Sequence, residues 1–476
     1  MFTRARLVGS PLAISLTNLS SAADRLLAMA DSVTTLLTGF GRTAGTAAGV
    51  VAPELPDVAA AVLGAPARGT LARGLGRAYG DVAQNAGGSV IDTHQLQGTV
   101  FDRELGVVRA DAGVVLGDLM RLVVPQGWFV PVTPGTQFVT VGGAIAADVH
   151  GKNHHQDGSF GDHLIDLELV DGTGTTHTLH PGDPAFEATC GGLGLTGVIT
   201  ASTLRLIPIE TADIRTDIER VADLDTLMAR LADSDDDYRY SVAWIDLVTG
   251  GKALGRGVLE RGDHATRAEN ASDSPLAVVD GRTVNAPPWV PSGLLNRVSA
   301  RAFNELWFRK SPAETTRIVP YGTFFHPLDR LAGWNRLYGD GGFLQYQFVV
   351  PLGQERALQH AVELIAGAKS PVLLAVLKRL GPGRGLLAFP QAGWTLALDL
   401  PARWDGLRAL TNALDVLVAE AGGRVYLAKD ACLQPEMLPL MYPELEAWRT
   451  IRSGLDPDGR FQSDLSRRIG LVEPRA

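Results

Sequence analysis

The chain has 476 residues, 45% hydrophobic and 20% charged, and its 43 basic against 52 acidic side chains leave a net charge of −9. That length predicts two or three domains, each with its own core, and the acidic balance excludes nucleic acid as the partner. Two cysteines, Cys190 and Cys432, exclude a disulfide framework and a thiolate metal site, and no run reaches the roughly 18 apolar residues of a membrane span.

Residues 1–30 read as a disordered extension. Arg4 and Arg6 precede an apolar patch that Ser10 and Pro11 interrupt, too weak for a convincing export signal. Residues 22–38 have helical spacing, and 56–63 predict a helix closed by Gly64. A glycine-rich loop at 68–81 leads to strands at 89–92 and 106–110, a helix at 116–124 and a strand at 128–132. Residues 164–170 and 175–179 predict a hairpin, and a second glycine block, Gly191 to Gly197, runs into another strand. Short strands punctuated by glycine blocks are not a doubly wound pattern.

Past Pro208 the glycine blocks stop. A helix at 223–232 and a strand at 239–247 precede residues 271–303, where Pro275, Pro287, Pro288 and Pro291 break any periodicity and predict a mobile loop. Strands at 323–326, 343–350, 372–377 and 395–400, with helices at 355–368 and 406–421, predict an antiparallel sheet backed by helices. Turn chemistry rich in glycine and aspartate returns after Arg424. The expected division is therefore 1–30, 31–210, 211–423 and 424–476, the last segment docking back on the second.

In the first block, Gly74 and Gly76 allow tight turns while Arg73 and Arg77 supply charge, a combination suited to a pyrophosphate or to a solvated surface turn. Residues 133–163, TPGTQFVTVGGAIAADVHGKNHHQDGSFGDH, join small residues, against which a flat ligand can press, to His150, Lys152, His154, His155 and His163. Two of these histidines are adjacent and no ordered carboxylate set completes them, so no metal is expected. Lys429, at a strand end beside Asp430, suits a surface ion pair or a buried amine placed over a ligand. Gln345 and Gln347 share one strand face, toward sugar hydroxyls or water. Trp244, Phe325, His326 and Lys378 are open in the same way.

The motifs GLGRAYGD, PGTQFVTVGGAIAADVHGKNHH, FLQYQF and YLAKD, taken as a set, resemble the decaprenylphosphoryl-β-D-ribose 2′-oxidase family. That family is the flavin-dependent half of an epimerase supplying arabinose for cell-wall arabinan, within the vanillyl-alcohol-oxidase (PCMH) type of FAD-binding fold. The resemblance covers nearly the whole chain. It implies an α+β architecture: a two-segment FAD domain with an inserted substrate domain of antiparallel sheet and helices.

Carried over by motif, the pyrophosphate loop is Ala72, Arg73, Gly74, Leu75, Gly76, Arg77, Ala78, Tyr79, Gly80, Asp81 and Val82. Gly135, Thr140, Val141, Gly142, Gly143, Ala147, Asp148, Val149 and His150 line the flavin, with Ile199 and Tyr426 as further contacts, and the FAD is non-covalent. Lys429 is the implied catalytic residue, with Tyr79 and His150 beside it. Lys152, Lys378, Gln345 and Gln347 hold the sugar phosphate, and Trp244, Phe325, His326, Thr395 and Ala397 shape its pocket. An NAD(P)H-dependent keto-reductase acts on the product, and the implied location is the cell envelope, peripheral to the inner membrane. Three positions depart from the family pattern. Thr395 follows the tryptophan of its GWN motif, Ala397 stands where mycobacterial members have the cysteine attacked by nitroaromatic inhibitors, and Phe325 replaces a common tyrosine.

Overall fold

A computed structural model describes residues 32–473 of the protein, except 271, 280, 282, 288–292 and 294. The expected disordered extension at 1–30 therefore lies outside the described residues, as do Trp289, Val290 and Leu294 of the expected mobile loop.

The chain opens with a four-stranded sheet of β1 (Val33–Thr38), β2 (Gly45–Val51), β3 (Thr70–Arg73) and β4 (Ser89–Asp92), ordered β1-β2-β4-β3. Of the helix expected over 22–38, residues 22–31 lie outside the described residues, and 33–38 form strand β1 instead: its β-branched Val-Thr-Thr start pairs antiparallel with β2. A five-stranded antiparallel sheet follows, ordered β5-β6-β10-β8-β9, from β5 (Thr99–Asp102), β6 (Val107–Asp111), β8 (Leu164–Val170), β9 (Thr176–Leu179) and β10 (Val198–Arg205). Between β6 and β8 the short strand β7 (Trp128–Phe129) pairs with β11 (Ile207–Pro208), and the helix Val141–Ala146 carries the paired glycines.

The largest sheet has eight strands. It comprises β12 (Asp213–Val221), β13 (Tyr240–Ile245), β14 (Gly257–His264), β16 (Glu314–Pro320), β18 (Phe343–Pro351), β19 (Ala375–Leu380), β20 (Gly393–Pro401) and β21 (Arg424–Val425), ordered β16-β12-β14-β13-β19-β20-β18-β21. Its neighbours pair antiparallel wherever register is given, so residues directly opposite one another share a face. One face carries buried Tyr346, Phe348, Leu396, Leu398, Leu377 and Leu259 under the helices Leu224–Asp233, Glu355–Gly367 and Leu407–Glu420. The Tyr346 hydroxyl donates to Asp415 of the last helix at 2.7 Å. The alternate residues, Gln345, Gln347, Ala397, Asp399, Thr395 and Lys378, therefore point the other way, toward the glycine-rich half of the chain.

A strand expected at 323–326 is instead the helix Tyr321–Phe325, which turns Phe324 and Phe325 into the core. Within 271–303 lies a two-residue strand, β15 (Val284–Asn285), parallel to β17 (Leu331–Ala332), and a helix starting at Arg297. The returning segment ties into the first sheets: Thr70 donates its amide to Arg460 O at 2.7 Å, Gln462 returns one to Thr70 O at 3.0 Å, and Arg468 forms two hydrogen bonds to Asp81.

Candidate active site

The first glycine block leaves β3 and turns back sharply because nothing larger fits. A Cβ on Gly74 would sit 2.2 Å from Thr140 Oγ1, and one on Gly80 would sit 1.9 Å from Asp430 O. These contacts bring three distant stretches together: the loop 72–82, the start of the Val141–Ala146 helix, and the segment holding Lys429. Arg73 is spent inside this junction, donating to the carbonyls of Ala83 and Thr38. Arg77 lies over the rings of Phe40 and Phe138, 5.1 and 5.2 Å from their centroids.

Thr140 caps its helix by accepting from the Gly143 amide at 3.2 Å. A Cβ on Gly135 would meet nothing within 4 Å, so the backbone is open there, whereas one on Gly142 would meet Ala112 Cβ at 2.8 Å and one on Gly143 Thr140 Oγ1 at 3.0 Å. Asp148 adopts φ 39, a left-handed conformation unusual for a side-chain-bearing residue, and its carboxylate turns inward to accept from the Gly161 amide at 3.0 Å. Burial pushes that carboxyl up to about 7. The turn delivers His150 into an aromatic group with Tyr426 and Phe389, its ring 5.2 and 5.4 Å from theirs. Tyr426 is fixed in turn by donating to Ala147 O at 2.6 Å. Ile199 is buried where β10 carries a bulge against β8.

His150 meets the polar face of the large sheet. Gln347 Nε2 lies 3.0 Å from His150 Nε2 and 3.1 Å from Thr395 Oγ1, which itself donates to Phe348 O at 2.8 Å. Burial holds the imidazole well below its usual range, hence neutral. An amide donor at Nε2 assigns the ring hydrogen to Nδ1, which is buried and has no hydrogen-bond partner among the described residues. Two residues along β18, Gln345 bridges two buried charges: its Oε1 accepts from Lys429 Nζ and its Nε2 donates to Asp399 Oδ1 at 2.7 Å. Tyr338 donates to the other Asp399 oxygen at 3.1 Å, and Lys429 Nζ lies 4.6 Å from the centroid of the Tyr79 ring. Burial lowers the Lys429 ammonium and raises the Asp399 carboxyl, each opposed by the other's charge. Lys378 donates to Gly151 O at 3.1 Å and is brought down to about 7 by burial and by Lys429 and Lys152.

Of the residues singled out in the sequence, Tyr79, His150, Gln345, Gln347, Lys378, Thr395, Ala397 and Lys429 thus come together. Trp244 is on the same face, in the row Gln347, Ala397, Val376, Trp244. Lys152 is paired with Glu260 at 2.8 Å and lies over the Phe324 ring. His326 faces Thr133 Oγ1 at 2.9 Å, and Phe325 packs among Phe129, Tyr240 and Phe324. His154, His155 and His163 each have a protein partner: Ser159 and the Gly381 amide, Tyr238 O, and Asp157 O.

Asp399, Tyr338 and Phe389 were not singled out. Asp399 had one visible signal, a lone carboxylate in the leucine-rich run Leu396-Ala397-Leu398-Asp399-Leu400.

A family model described as an FAD binding domain matches residues 47–180, and one for D-arabinono-1,4-lactone oxidase matches 407–469. Over 454 residues the chain is 41% identical to a decaprenylphosphoryl-beta-D-ribose oxidase of Mycolicibacterium smegmatis, covering 93% of this chain and 98% of that one. The chain belongs to the decaprenylphosphoryl-β-D-ribose oxidase family. Further away, a Streptomyces alditol oxidase is 25% identical, covering 90% of this chain and 97% of its own, and a Mycobacterium tuberculosis L-gulono-1,4-lactone dehydrogenase is 22% identical over 87% and 93%. The family's α+β fold and its cofactor, FAD, agree with the site: glycine backbone open at Gly135, and a neutral histidine whose buried Nδ1 has no partner among the described residues. Among the described residues no helix is long and apolar enough to cross a membrane.

Proposed function

We propose that the protein oxidises the ribose 2′-hydroxyl of decaprenylphosphoryl-β-D-ribose to a 2′-ketone, the first half of 2′-epimerisation to the arabinose donor for cell-wall arabinan. The observation that carries this reading is the buried Lys429–Gln345–Asp399 chain beside Tyr79, in a chain matching 98% of the relative's length. Bound FAD supplies the acceptor for the hydride that leaves C2′.

Lys429 holds the 2′-oxygen and takes its proton. An amine lowered by burial is a competent base near neutrality, and the ammonium it becomes is stabilised by Asp399 through the Gln345 amide. Lys378, Lys152 and Gln347 bind the sugar phosphate. Trp244, Phe325, His326, Thr395 and Ala397 shape the pocket around it, Phe325 and His326 by fixing the wall behind Thr133.

The cofactor is held without a covalent bond by the loop 72–82, by Gly135 and the stretch 140–150, and by Ile199 and Tyr426. Two facts support this: His150 Nε2 is engaged by Gln347, and both cysteines are buried. The cofactor domain spans 31–210 and 424–476, with 211–423 as the substrate domain. An NAD(P)H-dependent keto-reductase consumes the ketone, and the enzyme works at the cell envelope, peripheral to the inner membrane.

Anaerobic addition of decaprenylphosphoryl ribose should bleach the flavin while free alditols and aldonolactones do not. The lactone-oxidase model matching 407–469, which spans Lys429, supports the second reading, an alditol or aldonolactone oxidase. Bleaching by those compounds alone would establish it.

A further inference from the structure

The helix Arg297–Lys310 shows one half of its circumference to the core and the other half to the outside. Ala300 and Asn304 are buried, with Asn304 donating to Asp246 and to Val372 O, and Phe308 lies under the Arg256 guanidinium. On the opposite arc Val298 is 79% exposed, Leu306 66%, and Phe303 and Trp307 46% each. Spaced at i, i+5, i+8 and i+9, these four side chains fall within one continuous half-turn of the helix surface. Phe303 and Trp307 stack 6.3 Å apart, forming a flat aromatic edge. Nothing in the described fold covers this arc, although each residue costs free energy left in water.

Charge identifies what the arc fits. In a chain of net charge −9, this helix carries Arg297, Arg301, Arg309 and Lys310 against a single acid, Glu305. Beside its first turn, Arg297, Lys369 and Arg403 line a cleft of about 300 Å³ together with Leu295, Tyr338 and Trp404. Apolar and aromatic side chains flanked by cations, on a helix that is otherwise polar, are the signature of a segment that lies in the interface of an anionic bilayer. The cleft also gives the face a route to the chemistry, since Tyr338, which lines it, donates its hydroxyl to Asp399 in the candidate site.

We infer that the exposed face of Arg297–Lys310 docks the protein on an anionic lipid surface, Val298, Phe303, Leu306 and Trp307 entering the acyl boundary and the basic residues meeting the headgroups. The cleft at its first turn, lined by Arg297, Lys369 and Arg403, takes a lipid phosphate headgroup at that surface. The docking face does not rest on the proposed substrate.

The test is co-sedimentation of the full-length holoenzyme with phosphatidylcholine vesicles, with and without phosphatidylglycerol. Wild type should partition to the anionic vesicles, less so as salt rises. Leu306→Ser/Trp307→Ser should lose this roughly tenfold or more, and Arg309→Glu/Lys310→Glu should lose the preference for anionic lipid. Both variants should retain flavin and its reduction by a short-chain phosphoryl ribose, which needs no bilayer. Equal partition of wild type and both variants would overturn the inference, as would no partition at all. A concentration-dependent dimer lost in Leu306→Ser/Trp307→Ser, without vesicle binding, would assign the face to a second copy and overturn it too. Face-dependent vesicle binding without flavin reduction supports the docking face and removes the proposed substrate.

Discussion

The amide nitrogen of Gln347 lies 3.0 Å from Nε2 of His150, a residue 197 positions earlier in the chain. This contact joins the glycine-rich half to the polar face of the large sheet, and it fixes the histidine tautomer with its hydrogen at Nδ1. Replacing Gln347 by Leu leaves Nε2 buried without a donor, at a cost of about 1–3 kcal/mol. The expected outcome is a loss of roughly 5- to 150-fold in kcat/KM with FAD content retained, and Gln347→Glu should not rescue it, because a carboxylate cannot donate to Nε2. Steady-state kinetics beside the flavin absorbance of the purified variants checks this; an unimpaired Leu variant would remove His150's tautomer from the mechanism.

Lys429→Ala should keep the cofactor and abolish turnover, by on the order of a thousandfold or more, since in the proposed mechanism it removes the base and its stabilised cation together. Near-wild-type flavin reduction in this variant would dismiss Lys429 from the chemistry.

In the proposed mechanism Asp399 acts through Gln345 and Lys429 and so positions and balances a charge. The groups facing it are Lys429, Tyr79 and Tyr338. The Asp399 carboxylate raises the Lys429 ammonium against its burial, so Asp399→Asn lowers the lysine further. With an unprotonated amine as base, the acidic limb of the kcat/KM profile should move to lower pH while the rate at the plateau falls. Asp399→Glu should restore part of the rate. A variant with reduced rate and an unmoved profile would mark Asp399 as merely structural.

How much of this was legible in the sequence depended on the range of the contact involved. Strand alternation placed Gln345 and Gln347 on one face, and the glycine spacing marked where distant stretches of backbone pack closely. The link from Lys429 to Asp399 through Gln345 was not legible, because it depends on the register that sets Gln345 of β18 opposite Asp399 of β20, which only the assembled sheet defines. The helix expected at 33–38 and the strand at 323–326 failed for a related reason: both are short runs whose state is decided by what packs on them. Which partner each histidine takes was not legible either: His154, His155 and His163 each turn to a separate protein partner.

Ala397 stands opposite Gln347 in the sheet, at the place where mycobacterial members of the family carry a reactive cysteine. The two cysteines of this chain are both buried, and burial pushes the Cys432 thiol up to about 12 and Cys190 well above its usual value. Neither offers a thiolate. Turnover in the presence of a nitroaromatic inhibitor of that class should therefore leave the intact mass unchanged. A mass increase mapped to either cysteine would refute this.

The flavin should come away from the protein on denaturation. Acid precipitation is expected to leave the yellow chromophore in the supernatant and a colourless pellet. Colour retained in the pellet would overturn non-covalent attachment.

Asp415 tests the electrostatics of the core away from the site. It is 1% exposed, accepts from the Tyr346 hydroxyl at 2.7 Å, and its second oxygen is buried without a partner among the described residues. Burial, aided by Asp430 and opposed by Tyr346 and Arg408, brings its carboxyl up to about 7 from an ordinary value of 3.8. Because the folded value is raised, the folded state binds a proton that the unfolded chain releases above 3.8. Stability from this group is full below the unfolded value and is lost as pH climbs through about 7, by roughly 4 kcal/mol in all at 1.36 kcal/mol per unit. Asp415→Asn keeps an oxygen for Tyr346 and removes the titration. Thermal unfolding should show the variant close to wild type at acid pH, where both side chains are neutral, and several degrees more stable than wild type above neutrality. A shift of the same size on both sides of neutrality would mean that Asp415 does not carry a buried charge there.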